Sequence, residues 1–325
     1  MSTAQLVPET WELTGDDAAE TLRRARFKRL LGDSILRFRA ADGTSHARSL
    51  AFALILTIIP GIIAVVGLAS LTGAGSLHDS IVDFLVDVSP GPTGEILTAA
   101  ISQGDDTSSS NGPLPLIIGL IAMFISGVTL FGQIERGANR IYGVEEDRQT
   151  VAKYGRAALL FTAYFALAIV LFVLFEVRPS VLRDFDLGGP EWMWSVARIL
   201  IGSALAVIGF AFIFKHSPRR HQPSASWLVV ASAIATFLWL VSTTALKFFW
   251  DQGDTFGDTY GPLAGVVGLA LWSFVIALGL FIGLAFAAQL EAVRAGCSEP
   301  QDDDKVQESE PEAGQPGRDG EKLAS

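Results

Sequence analysis

The chain has one cysteine, Cys297, in 325 residues, together with three methionines and four histidines. A lone cysteine excludes an intramolecular disulfide and says nothing about compartment. The histidines His46, His78, His216 and His221 form no His-x-His or His-x-x-x-His pair. A metal-dependent hydrolase needs clustered His and carboxylate ligands, so no metal site and no cofactor is expected. No glycine-rich phosphate loop precedes any helix, which leaves an ATP-driven pump without support. Charge is scarce as well: 18% of residues are charged and 50% are apolar, with a mean hydropathy of +0.40. That balance is too oily for an ordinary aqueous domain of this size.

What the sequence does have is long uncharged runs. Six segments of about 20 apolar residues, the length that crosses roughly 30 Å of hydrocarbon, occur at 50–72, 114–134, 157–177, 193–214, 227–250 and 263–290. Buried helices of a large soluble protein would need polar-faced surface helices around them, and none remain once these six are removed. The first run is too long and too far from Met1 for a cleaved signal peptide. The expected fold is all-α: a polytopic membrane protein of six transmembrane helices, with an interfacial amphipathic helix and an outer helical hairpin.

Lys and Arg divide unevenly between the two sets of loops. Sixteen lie ahead of the first span, in the second-to-third loop and in the fourth-to-fifth; two, Arg178 and Arg183, lie in the loops between, and 73–113 and 251–262 have none. Positive residues stay on the cytoplasmic side, so both termini are expected there.

Outside the spans, residues 1–17 read as a disordered N-terminus and 296–325 as a disordered acidic tail. Between 18 and 40, Phe27, Leu30, Leu31, Ile35 and Phe38 recur at helical spacing opposite arginines, the pattern of a helix held on anionic lipid headgroups. Nucleic acid could also meet such a cluster through its phosphates. A basic segment abutting a span is already required by orientation, so no nucleic-acid partner is expected. Residues 73–113 carry an apolar stripe, an acidic row and the break "SPGPTG", read as a hairpin on the outer side.

The chemistry-bearing positions are few. Pro60 interrupts the first span beside Thr57 and Gly61; its ring frees the carbonyl of Leu56, which in hydrocarbon requires a partner inside the bundle. The last span, with Gly265, Gly268, Gly279 and Gly283 on one stripe, is its expected neighbour. That stripe permits close packing either within the chain or between copies in a homo-oligomer. Glu176, Arg198 and Lys247 are ionisable residues in or ending spans, where such groups are costly and function is the default reason for them, although all three lie where long side chains reach headgroups. Past the second span, Glu135, Asn139 and Tyr142 share one helix face by i, i+4, i+7 spacing.

Four stretches together resemble the YihY/BrkB family of bacterial inner-membrane proteins, once labelled ribonuclease BN: "ARSLAFALILTIIPGI" from Ala47, "ANRIYGVEEDR" from Ala138, "WLVVASAIATFLWLV" from Trp227 and "YGPLAGVVGLALW" from Tyr260. The resemblance runs over about residues 25–295 and draws in Tyr260 and Gly261 as family positions. Phe52, Thr57, Ala231 and Pro262 depart from the family's commoner residues, so no role carried by a tyrosine hydroxyl at position 52 transfers. The resemblance implies a six-helix bundle with cytoplasmic termini and an envelope role. Two functions follow: a non-ATP-driven transporter or lipid-handling factor, or an envelope-integrity or assembly protein that moves nothing. A nuclease reading fails for want of a positioned acid and base or a metal cluster, and no enzyme activity is expected. A cavity among the spans would separate the first two.

Overall fold

A computed structural model describes residues 2–72, 98–99, 114–176, 191–251, 262–303 and 305–306. Among these, the chain forms eight helices: α1 (Gly15–Arg24), α2 (Phe27–Ala40), α3 (Gly43–Thr72), α4 (Leu114–Ile141), α5 (Thr150–Glu176), α6 (Glu191–His216), α7 (Ala225–Asp251) and α8 (Pro262–Arg294). At 1.5 Å per residue, the six long ones exceed the roughly 30 Å of a bilayer core. Five, α3, α4, α6, α7 and α8, contain windows long and apolar enough to cross a membrane. The third expected span falls on α5. Arg156 near its start donates to the carbonyl of His216 at the end of α6 (3.0 Å), so the chain leaves and returns to one end between them.

α8 is the axis of the bundle. Phe281, Leu284, Ala285 and Phe286 are fully buried, and the helix packs on α2, α3, α4 and α7. Its glycine stripe is spent inside the chain: a Cβ on Gly283 would lie 2.7 Å from Ala235 Cβ and 3.1 Å from the carbonyl of Ala231, both on α7. Around this axis, Phe52, Ile118, Ile125, Leu159, Ile199 and Phe237 stand exposed, a belt of apolar surface that only lipid or another apolar phase would cover without penalty.

Three features differ from the sequence expectations. Residues 2–17 are ordered: Ala4 and Val7 are buried, and the Val7 N–H donates to the carbonyl of Tyr142 (3.1 Å). Little in the local pattern announces this, because the order comes from backbone bonds to distant segments. The single amphipathic helix expected over 18–40 is two helices, broken where Ala25 is extended (φ −78°, ψ 143°). Leu30 and Phe38 of its apolar stripe are buried in the core, with α2 lying on α8 rather than only on lipid. The start of the acidic tail also packs: Asp302 N–H donates to Thr3 O and Gln5 N–H to Pro300 O, with Ala4 and Gln301 paired antiparallel. Residues 307–325 of that tail, and the expected outer hairpin apart from the helical pair 98–99, lie outside the described residues.

Candidate functional site

The end of the bundle that carries the basic loops is closed by a buried polar network. Asn139 is fully buried near the end of α4. Its side-chain oxygen accepts from the Arg219 N–H (2.7 Å) and its Nδ2 donates to Asp147 (3.0 Å), joining α4 to the loops on either side of α5 and α6. Asp147 also takes Lys153 Nζ at 2.9 Å. Glu135 is buried against Arg148 (3.0 Å), whose guanidinium donates to Ser217 and Pro218 carbonyls. The face that Glu135, Asn139 and Tyr142 share by their spacing is buried throughout, which the spacing alone does not reveal.

Tyr142 lies beneath the Arg220 guanidinium, 4.5 Å from ring centroid to Cζ. Its hydroxyl sits beside Gln222 outside hydrogen-bond geometry, and burial pushes its pKa up. Arg220 in turn forms a bidentate pair with Glu291 (2.7 and 3.2 Å), both side chains buried. Thr10 donates its hydroxyl to the same carboxylate at 2.6 Å. Arg37 is fully enclosed, donating to Gln289 Oε1 and Gln5 O at 2.8 Å each; burial lowers its pKa to about 10. Gly143 closes the turn at φ +74°, and a Cβ there would press on the backbone of Leu6 at 2.7 Å. Arg37 and Arg220 read from sequence as loop charges that set orientation; their burial depends on the terminal segments, which no periodicity reveals.

Chemically, the charges of this network are largely paired with one another, while Glu135 Oε1, Tyr142 Oη, Ser217 Oγ, Arg220 Nε and the Gln222 amide are buried without a hydrogen-bond partner among the described residues. Among the described residues no group of three or more His, Cys, Asp or Glu side chains is placed to share a metal ion.

The other feature is a cavity of about 520 Å³ inside the membrane-length part of the bundle, with walls from α3, α4, α5, α6, α7 and α8. Its cause is local. Gly202, Ala206 and Gly209, at i, i+4, i+7 on α6, present a face too small to fill the space opposite Phe131, Tyr164 and Trp239. The nearest atoms to a Cβ on Gly209 would be those of Tyr164 (3.4 Å) and Leu167 (3.6 Å), ordinary contact distances. In sequence such spacing signals tight helix packing; here the small face opens space instead.

The remaining expected positions scatter. Pro60 lies in α3, which continues as helix through it. Thr57 donates its hydroxyl to Ala53 O (2.8 Å), not to the carbonyl of Leu56 that the proline frees. Gly61 faces Met123, and the Pro60 carbonyl lies 3.1 Å from a Cβ built on Gly119 of α4; the last span also packs on this part of α3, where Ile55 and Ile58 meet the cluster of Leu269 and Trp272. Gly265 is buried near the start of α8, and Lys247 is half-buried on α7. Glu176 ends α5 and Arg198 lies in the first half of α6, while Tyr260 and Gly261 lie outside the described residues.

Comparison with known proteins gives the lineage. A ribonuclease-like protein, YfkH, of Bacillus subtilis (strain 168) is 22% identical over 76% of this chain and 90% of its own length. A UPF0761 membrane protein of Azoarcus sp. (strain BH72) is 27% identical over 82% of the chain, which spans 65% of that relative. One from Halorhodospira halophila is 21% identical over 80% of the chain and 56% of its own length. No solved structure matches. The family described as Virulence factor BrkB matches residues 34–308, most of the chain and all six long helices, and the protein belongs to that family as an integral membrane protein.

Proposed function

We propose that the protein is a six-span bacterial inner-membrane protein with both termini in the cytoplasm, acting as a non-ATP-driven transporter or lipid-handling factor and not as an enzyme. The observation that carries this reading is the cavity of about 520 Å³ among the long helices, within the 300–1,000 Å³ range of ligand pockets. Its lining is chiefly Leu, Ile, Phe and Trp, a surface for hydrocarbon. The name of the Bacillus relative suggests RNA cleavage, but the charged groups of the polar end are paired in ion pairs, Glu135 with Arg148 and Glu291 with Arg220, which does not support a free general acid or base there. Arg23, Arg26 and Lys28 stay at least partly exposed on α1–α2 beside exposed Phe27, so anionic headgroups have a basic face to meet even though the apolar face rests on α8.

The alternative, an envelope-integrity or assembly protein, draws support from the tightly stitched polar end, which is suited to a scaffold. Gly209→Leu separates the two. Its side chain would extend into the cavity from a position where the Cβ itself is tolerated. Complementation of a deletion strain should fail with normal expression and an unchanged melting temperature if the cavity works; full complementation supports the scaffold. Topology is tested in a Cys297→Ser background. Cysteine at Gln149 should resist an impermeant thiol reagent in intact cells, and cysteines at Thr107, Ser180 and Gln252 should react.

A further inference from the structure

Two hydroxyls on the α5 and α6 walls of the cavity have nothing to bond, and neither has that of Thr244 on α7, among the described residues. Tyr164 on α5 and Ser203 on α6 both border it, and among the described residues neither hydroxyl has a hydrogen-bond partner. This is not general in these helices: Thr129, Thr162, Ser232 and Thr236 all bond back to the carbonyl four residues earlier, at 2.9 Å. On the cavity's α7 wall, Thr243 receives the Trp272 indole N–H at 3.3 Å, which leaves its own hydroxyl proton to give. A hydroxyl left unpaired in an apolar surround costs a few kcal/mol, and water is scarce at this depth. Groups so placed on three helices await oxygen atoms from outside the chain.

The second constraint is charge. Among the described residues that line the cavity there is no Asp, Glu, Lys, Arg or His. An ionised headgroup drawn into this space would be desolvated with no counter-charge to meet it. Hydrocarbon walls, unpaired neutral hydroxyls and no countercharge together select one chemistry.

We infer that the cavity binds an uncharged amphiphile, a long-chain lipid whose hydroxyl or ester oxygens pair with Tyr164, Ser203 and Thr243, and that anionic phospholipid heads are excluded. This rests on the lipid-handling reading and sharpens it to a substrate class. Tyr164 is the key discriminator: the tyrosine hydroxyl lies above Gly209, 3.7 Å from where a Cβ would be, at the centre of the small-residue face.

The test uses the full chain in nanodiscs with two photoactivatable lipids that carry the same diazirine acyl chain, one a diacylglycerol and one a phosphatidylglycerol, with labelled peptides mapped by mass spectrometry. Diacylglycerol should label the α6 and α7 peptides around Ser203 and Trp239, and unlabelled diacylglycerol should compete. Tyr164→Phe and Ser203→Ala, which keep the shape of the wall, should each weaken that competition by about tenfold, the factor that corresponds to about 1.4 kcal/mol. Gly209→Leu should abolish labelling. Equal labelling by both lipids, insensitive to Tyr164→Phe and Ser203→Ala, overturns the uncharged-head inference and leaves lipid handling standing. Labelling by neither lipid, or labelling that Gly209→Leu does not reduce, overturns both.

Discussion

At its basic end, α4 carries Asn139 and Tyr142 into a network where terminal segments, two loops and α8 are joined by side-chain and backbone bonds. Toward its other end, the same helix meets α3 through Gly119, with Ala64 N 2.8 Å and the Pro60 carbonyl 3.1 Å from a Cβ built there. One half is held by directional bonds and buried ion pairs, the other by backbone approach and shape. The difference matters because bonded networks have one low-energy arrangement, whereas packed helices can slide or part at small cost. The polar half is therefore suited to fix the bundle and the membrane half to open around the cavity.

The largest effect should come from breaking the polar half. Arg220 and Glu291 are a buried, bidentate pair, and removal of one partner strands the other charge. Glu291→Leu or Arg220→Met alone should cost about 3–5 kcal/mol, read as a large fall in detergent melting temperature or loss of monodisperse protein. The double substitution should recover most of that loss. If the single changes melt like the parent, the polar end is not the fixed half of the comparison.

Next is the membrane half. Gly119→Ala adds a methyl group against backbone that belongs to α3, which cannot swing aside as a side chain would, and should cost about 1–3 kcal/mol. Gly155→Ala on α5 is the internal control: a Cβ there meets nothing within 4 Å, so the change should be neutral or raise stability by up to about 1 kcal/mol through helix propensity. Equal effects at both glycines would mean that α3 and α4 are not locked by their close approach.

How much of this architecture is legible in the sequence depends on where each residue's partners lie. The helices and the shared face of Glu135, Asn139 and Tyr142 are periodic, and periodicity is local, so both can be read, although not that the face is buried. Arg37 and Arg220 cannot. A basic residue that faces a carboxylate or carbonyl contributed by a segment far along the chain looks the same in sequence as one in water. The ordering of residues 2–17 escapes for the same reason, since its bonds run to Tyr142, Pro300 and Glu291. The cavity is hidden more deeply. Gly202, Ala206 and Gly209 carry the signature of close packing, and only the aromatic residues opposite decide that the small face becomes a space. Gly119 stands alone in its helix pattern, whereas the glycines of α8 form a stripe that points to Pro60; the structure seats that stripe on α7 and brings Gly119 to the proline.

A smaller effect is expected at Pro60. Pro60→Ala restores a backbone N–H to an uninterrupted α3, a bond worth about 1 kcal/mol at most, so the melting temperature should move little in either direction. If the broken turn is a hinge in the half that opens, the variant should be abundant and inactive in complementing a deletion strain. A variant both abundant and fully active leaves the proline as a packing kink against Gly119 and Met123.

The smallest effect lies in the polar half but on its rim, at Asp147. Burial works to raise the pKa of this carboxyl, but hydrogen bonds from Lys153 and Asn139 and the nearby Lys153 and Arg136 charges prevail and hold it below the usual range. A pKa depressed by folding stabilises the native state above the unfolded value of about 3.9, and that contribution disappears as pH falls through the lower folded value. Asp147→Asn should therefore lower the melting temperature at neutral pH, and the gap between variant and parent should close below about pH 4. The side chain is 28% exposed, so solvent screening limits the gap to under about 1 kcal/mol, well short of that at Arg220 and Glu291. Melting curves of both proteins between pH 7 and pH 3 measure it. A gap that widens toward acid would mean that Asp147 is held protonated, and the network of Asn139, Lys153 and Arg136 would then have to be redrawn around a neutral acid.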